Sequence, residues 1–274
     1  MIVLTAAAGL ASLMAGSAGL SFREVALGVL KMGTKQTNTI IWNVRMPRIA
    51  AAIVVGVALA MCGCIMQNVL RNPLASASTL GVSQGASFGA AVSIIWLGAG
   101  SQLNTGSGSA AALTISNPML VTLCAFLGGV ATTLIILGIS RLRGATPSVM
   151  VLAGVAISAM ESGPHTAKSL GVPVDFLIPA SMMICALISS VAVAFVGCIN
   201  FIGLIAAHIM RRFVGNDFRF LIPCTALCGA VLLLASDIAC RILVPPTVLP
   251  IGALTSFLGG PLFLWLIMRR RNIQ

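Results

Sequence analysis

Charge is what this 274-residue sequence has least of: Asp, Glu, Lys and Arg together make up 8% of it. A water-soluble domain carries about 25% charged residues, so a soluble globule is excluded. Acids are scarcest, five in all: Glu24, Glu161, Asp175, Asp217 and Asp237. No paired carboxylates, Ser/Lys pair or His-rich constellation stands ready for catalysis, and the chain is not read as an enzyme. Tyr is absent and no basic patch is interleaved with aromatics, which argues against a nucleic-acid partner. No Gly-x-x-x-x-Gly-Lys-Ser/Thr loop occurs, so ATP is not bound by that route.

What is present is apolar. Hydrophobic residues make up 58% of the chain, and the mean hydropathy is +1.08. Sixteen Lys and Arg against the five acids give a net charge of +11. On a membrane protein such an excess points to topology and to contact with anionic lipid. The eight Cys lie inside apolar stretches; Cys62 with Cys64 and Cys224 with Cys228 come nearest to a paired spacing, and no His is near either pair. Small buried hydrophobes fit them better than a metal site, and neither metal nor cofactor is expected.

A membrane span needs about 20 apolar residues. Ile2–Leu20 reads as a retained first span, since a basic start and a clear cleavage site are missing. Further spans are expected at Ile49–Met66, Thr79–Ala99, Pro118–Ser140, Phe176–Ile199, Phe220–Ala239 and Val248–Met268, with a shorter run at Phe201–Met210. Gly100–Gly108 reads as a flexible loop. Ser148–Met160 is apolar for too few residues to cross, and the polar run after it extends through Asp175. Placing Arg71, Arg141, Arg143, Arg211, Arg212 and the C-terminal arginines inside gives a consistent zigzag. It leaves Arg45, Arg48 and Arg241 outside, against the bias. Headgroup anchoring and a dedicated role both fit those three.

Several separated motifs carry a resemblance. They are Arg45-Met46-Pro47-Arg48, Val55–Gly63, Gln67, Arg71-Asn72-Pro73-Leu74-Ala75 and Leu80-Gly81-Val82-Ser83-Gln84-Gly85-Ala86 in the first half. In the second half they are Phe201–Ile205 with His208-Ile209, Asp237–Arg241, Leu249–Thr255 and Gly259-Gly260-Pro261. Together, in this order and over nearly the whole chain, they resemble the permease family of iron–siderophore, haem and vitamin B12 ABC importers. The resemblance implies an all-α, polytopic transmembrane helical bundle. Two departures stand out: Ala207 replaces the Pro usual before His208, and a segment is missing between Met160 and Glu161. Leu152–Ala159 resembles the start of the family's fifth helix, and Thr166–Val172 the loop after its sixth. The gap amounts to roughly 60 residues at ~20 per span plus a linker. The ten-span plan then becomes about eight spans plus a short stub, with part of helix five and helix six missing.

The resemblance also implies an organisation and roles. Residues 1–274 form one permease domain: 1–160 with helices one to four and the stub, 161–175 a cytoplasmic coupling loop, 176–274 the C-terminal helices. The permease pairs with a second permease subunit and docks on a cytoplasmic ABC ATPase dimer. It receives substrate from an extracytoplasmic substrate-binding protein, in the lipid of a bacterial inner membrane. Arg45, Arg48 and Arg241 match the positions that receive glutamates of the binding protein. Thr166, Ala167, Lys168, Leu170 and Gly171 match the coupling loop, with His165 where an acid is usual. Thr146, Pro147 and Ser148 resemble the inner gate turn; Gly81, Ser83 and Gly85 belong to the pathway, although close helix packing equally explains the glycines. The implied function is import of an iron(III)-siderophore, haem or cobalamin by alternating access. The alternatives are a transport-inactive remnant or, on the weaker ground of Asp237 and His208 near span ends, a secondary transporter.

Overall fold

The computed structural model describes residues 1–15, 20–70, 72–76, 81–103, 112–142, 174–243 and 249–270. Its elements are α1 (Ile2–Met14), α2 (Phe22–Val29), α3 (Lys35–Thr39), a π-helical turn (Ile40–Arg45) and α4 (Met46–Val69). There follow α5 (Val82–Ile95), β1 (Gly100–Leu103), β2 (Ala112–Ile115), α6 (Pro118–Leu142) and α7 (Val174–Val196). The C-terminal elements are α8 (Ile202–Val214), α9 (Phe218–Ile242) and α10 (Ile251–Arg270). Two compact units result, residues 1–64 with 199–274, and residues 65–198. The expected helical class is found. Among the described residues the exception is one antiparallel hairpin, in which Gly100 pairs with Ile115 and Leu103 with Ala112. The glycine-rich stretch expected to be a loop thus begins as a strand, because Leu113-Thr114-Ile115 is a β-forming partner for it.

In the first unit α1 ends at Met14, with Ala15 extended. Thirteen residues of helix reach about 20 Å, short of the ~30 Å hydrocarbon layer. The first span expected over Ile2–Leu20 is therefore helical only through Met14, and the next helix, α2, starts at Phe22. Ser21 caps α2: its Oγ accepts from the Glu24 amide at 3.3 Å, and Glu24 Oε2 accepts from the Ser21 amide at 2.8 Å. These hydrogen bonds hold the Glu24 carboxyl below its usual value of 4.5. A lowered folded value means the charged form is the one the fold prefers. The capping box should be fully formed above pH 4.5 and be lost as pH falls through the lowered value. Protection of the Ser21 and Glu24 amides, taken as exchange relative to the intrinsic rate at each pH, is expected to fall over that window in the wild type; Glu24→Gln should remove the dependence.

The next helix is longer than hydropathy suggests. It runs unbroken from Lys35 to Val69, 35 residues, rather than starting at Ile49. Thr34 caps it by accepting from the Thr37 amide. Asn43, Arg45 and Arg48 depress any hydropathy window across its first half without interrupting the backbone. The π-helical turn has a local cause. Pro47 has no N–H to give to Asn43, and its ring crowds that carbonyl. Widening the turn before it relieves the crowding, and the Met46 amide bonds to Ile41 instead.

α8 and α9 pack on this helix around Ala60, Cys64, Ala206, Ala207, Met210, Leu221 and Cys228. The approach is backbone to backbone. A Cβ on Gly63 would lie 2.6 Å from Gly203 backbone atoms, and one on Gly56 would lie 2.6 Å from the Gly229 carbonyl oxygen. Helices associating in lipid gain from such close approach.

In the second unit α5, α6 and α7 pack around Ala86, Ala125 and Val193. α6 starts at the expected Pro118. α7 starts at Val174, so the last two residues of the expected 161–175 loop are helical. Four described helices are long and apolar enough to cross a membrane: Lys35–Val69, Pro118–Ile135, Pro179–Val196 and Phe218–Ile242. The chain is a multi-pass membrane protein.

Candidate functional site

The first unit contains the most concentrated group of charges. Arg45 and Arg48 stand three residues apart on one helix face, and Asp237 and Arg241 stand four apart on a face of α9. Asp237 is fully buried and binds both neighbouring guanidiniums: Oδ1 pairs with Arg48 Nε at 2.6 Å and Oδ2 with Arg241 Nη2 at 2.6 Å. Among the described residues these are the ion pairs, and Asp237 is the acid in each. Arg45 is buried and donates through Nη1 to the Leu13 carbonyl. Arg241 donates through Nη1 to the carbonyls of Ser12 (3.3 Å) and Ala15 (2.8 Å), and through Nη2 to Ser12 Oγ. Nε of Arg241 reaches the Asp237 carbonyl at 3.3 Å.

This arrangement has a physical reason. The last carbonyls of a helix have no partner within it, and that end carries partial negative charge. Where water is excluded each unpaired carbonyl costs several kcal/mol. Two arginines from other helices supply the donors α1 lacks, and Asp237 offsets part of their charge. Three guanidiniums in this group against one carboxylate leave a positive excess.

The three arginines that sequence motifs single out are thus brought together, although Arg48 and Arg241 are far apart in the chain. Asp237 as their centre was not anticipated as a site. The signal for it was there: a lone acid inside an apolar helix, four residues before an arginine. The α1 carbonyls left no trace in residue type, because any residue contributes one.

Of the residues expected to line the pathway, three lie in the second unit. Gly81 adopts a positive φ of 71° and starts α5. Ser83 is buried, and its carbonyl accepts from Cys198 Sγ at 3.6 Å. Gly85 sits where α5 meets Gly128 and Thr132 of α6. Turn geometry and packing account for both glycines. Thr146, Pro147, Ser148, Thr166, Ala167, Lys168, Leu170 and Gly171 lie outside the described residues. Among the described residues no three His, Cys, Asp or Glu gather as metal ligands would.

Known proteins resemble this chain along its whole length. The sequence profile of the FecCD transport family matches residues 4–164 and 157–269. An ABC transporter permease protein of Methanocaldococcus jannaschii is 39% identical over 318 aligned positions, covering 94% of this chain and 90% of that protein. The iron(3+)-hydroxamate import system permease protein of Bacillus subtilis is 32% identical, covering 95% of this chain and 80% of its own. The hemin transport system permease protein of Yersinia pestis is 31% identical over 341 positions, covering 99% and 95%. Among solved structures, an ABC transporter of metal-chelate type in an inward-facing conformation superposes with a TM-score of 0.72 at 24% identity, covering 98% of this chain and 97% of that one. A family profile spanning both halves, relatives covered over most of their length and the shared fold agree: this chain belongs to the FecCD transport family, the ABC transporter permeases.

Proposed function

We propose that this chain is the membrane-spanning subunit of a binding-protein-dependent importer for an iron(III)-siderophore, haem or cobalamin. The observation that carries the reading is end-to-end similarity to permeases of hydroxamate and hemin transport, at 32% and 31% identity. Two copies, or one copy and a related subunit, enclose the pathway in the inner membrane. A separate ATPase dimer drives alternating access from the cytoplasmic side, and residues 161–175 couple to it. The Arg45, Arg48 and Arg241 cluster faces outward and receives acidic groups of the substrate-binding protein. Its positive excess supports that role, since arginine and carboxylate pair bidentately and so fix register as well as attract.

The gap at Met160–Glu161 is part of this proposal. The Yersinia relative aligns over 341 positions with 99% of a 274-residue chain, which supports missing length of the expected size, roughly 60 residues. The two profile matches also meet at 157–164.

Two measurements test the reading. Affinity-purified chain is expected to bring down an ABC ATPase subunit, and to restore chelate uptake in a strain deleted for its permease. A chain that inserts and binds the ATPase but restores no uptake would sink the transport claim. Reversing Arg48 to Glu should weaken capture of the binding protein by about tenfold or more and flatten its salt dependence; unchanged capture would leave membrane anchoring as the arginine's role.

A further inference from the structure

The three arginines of this cluster differ in what they have left to offer a partner. Arg241 makes four hydrogen bonds, to the Asp237, Ser12 and Ala15 carbonyls and Ser12 Oγ, its Nη2 is ion-paired with Asp237 Oδ2, and its side chain is 10% exposed. It is turned to contacts inside the fold. Arg45 is only 4% exposed, and its Nη1 is committed to Leu13. Arg48 differs on both counts. Its side chain is 36% exposed, and among the described residues the bond from Nε to Asp237 is the one hydrogen bond shown for it. With Nε taken, Nη1 and Nη2 remain as the end-on edge of the guanidinium, which takes a carboxylate bidentately.

Asp237 gives one oxygen to each arginine, so its carboxylate cannot rotate without breaking an ion pair. Arg241 comes from the next turn of the same helix and is itself pinned to α1. The chain of restraint therefore runs from α1 through Arg241 and Asp237 to Arg48. A long flexible side chain held this way loses little further freedom on meeting a partner, which is how preorganisation raises affinity.

We infer that Asp237 is a positioning residue, which fixes Arg48 through Nε and leaves that arginine's outer edge open to a carboxylate of an acidic protein partner. The inference rests on the docking reading above and narrows it from three arginines to one, with Arg45 and Arg241 assigned to the α1 carbonyls.

Two experiments test it. The first treats the full chain in native membranes with phenylglyoxal, which modifies accessible guanidiniums. Arg48 should be modified while Arg45 and Arg241 are protected; equal labelling of Arg241 and Arg48 would overturn the assignment. The second measures capture of the substrate-binding protein of the same transport system by the assembled transporter. Arg48→Ala and Asp237→Asn should each weaken capture about tenfold, and the double variant no more than either alone. A merely structural Asp237 would add its loss on top of Arg48→Ala, and additive losses would overturn the proposal. If Asp237→Asn does not assemble, Asp237→Glu keeps the charge while moving the carboxylate by one methylene, and the same non-additivity is expected. Unchanged capture in Arg48→Ala with the expected labelling pattern would instead remove the docking reading, and with it the partner named here. The hold of Asp237 on Arg48 would survive that result.

Discussion

Arg241→Ala is expected to lower the unfolding midpoint of the purified chain by about 10 °C, the shift that roughly 3–5 kcal/mol produces in a chain of this size. The magnitude follows from what the guanidinium holds. Asp237 is fully buried, and without Arg241 its Oδ2 loses its ion pair. The Ser12 and Ala15 carbonyls lose their donor at the same time. Breaking a buried pair by removing one member is far costlier than replacing the whole pair. Arg241→Lys keeps a positive charge but lacks the planar fork that serves α1 and Asp237 together, so an intermediate loss is expected. The eight thiols provide the readout, since five of them are buried and react with a maleimide dye once the fold opens. A midpoint within about 2 °C of the wild type would show that the cluster contributes little to stability.

Gly63→Leu should have an effect at least as large, by a different mechanism. A single Cβ at this position would already lie 2.6 Å from three backbone atoms of Gly203. Backbone cannot swing aside as a side-chain end can, so α4 and α8 must separate. Overpacking of this kind costs about 1–3 kcal/mol for added methylenes and more where the backbone is the obstacle. We expect Gly63→Ala to fold with a lowered midpoint and Gly63→Leu to give little folded protein. Gly138 serves as control, because among the described residues nothing lies within 4 Å of a Cβ built there. Ala at that position should leave the midpoint unchanged or raise it, as Ala is preferred to Gly by about 0.5–1 kcal/mol within a helix. If Gly63→Leu matched the Gly138 control, the close crossing of α4 and α8 would be refuted.

Spans and family were legible in the sequence for different reasons. Pro118–Ser140 was read almost to the residue, because it is uniformly apolar and begins with a proline that suits a helix start. Lys35–Val69 was read at half its length. Hydropathy weighs side chains, whereas a helix is carried by its backbone, and three polar side chains do not interrupt it. Ile2–Leu20 failed in the other direction: its apolar run continues past the point where the helix stops. Where it stops, Arg45 and Arg241 donate to its last carbonyls, and no local window contains those residues. Gly100–Leu103 has the glycine and serine of a loop, yet its strand depends on pairing with Ala112–Ile115.

Composition and order of residues determined by themselves that this chain lives in a membrane, is built from helices and belongs with the permeases. Those conclusions rest on properties each segment carries alone: transfer free energy, helix-compatible length and motifs kept in order. Only the tertiary structure decided what the arginines do, because a guanidinium's role depends on the acceptors within reach. It set Asp237 between Arg48 and Arg241 across 189 residues of chain. It also spent Arg241 on α1 and left the outer edge of Arg48 open.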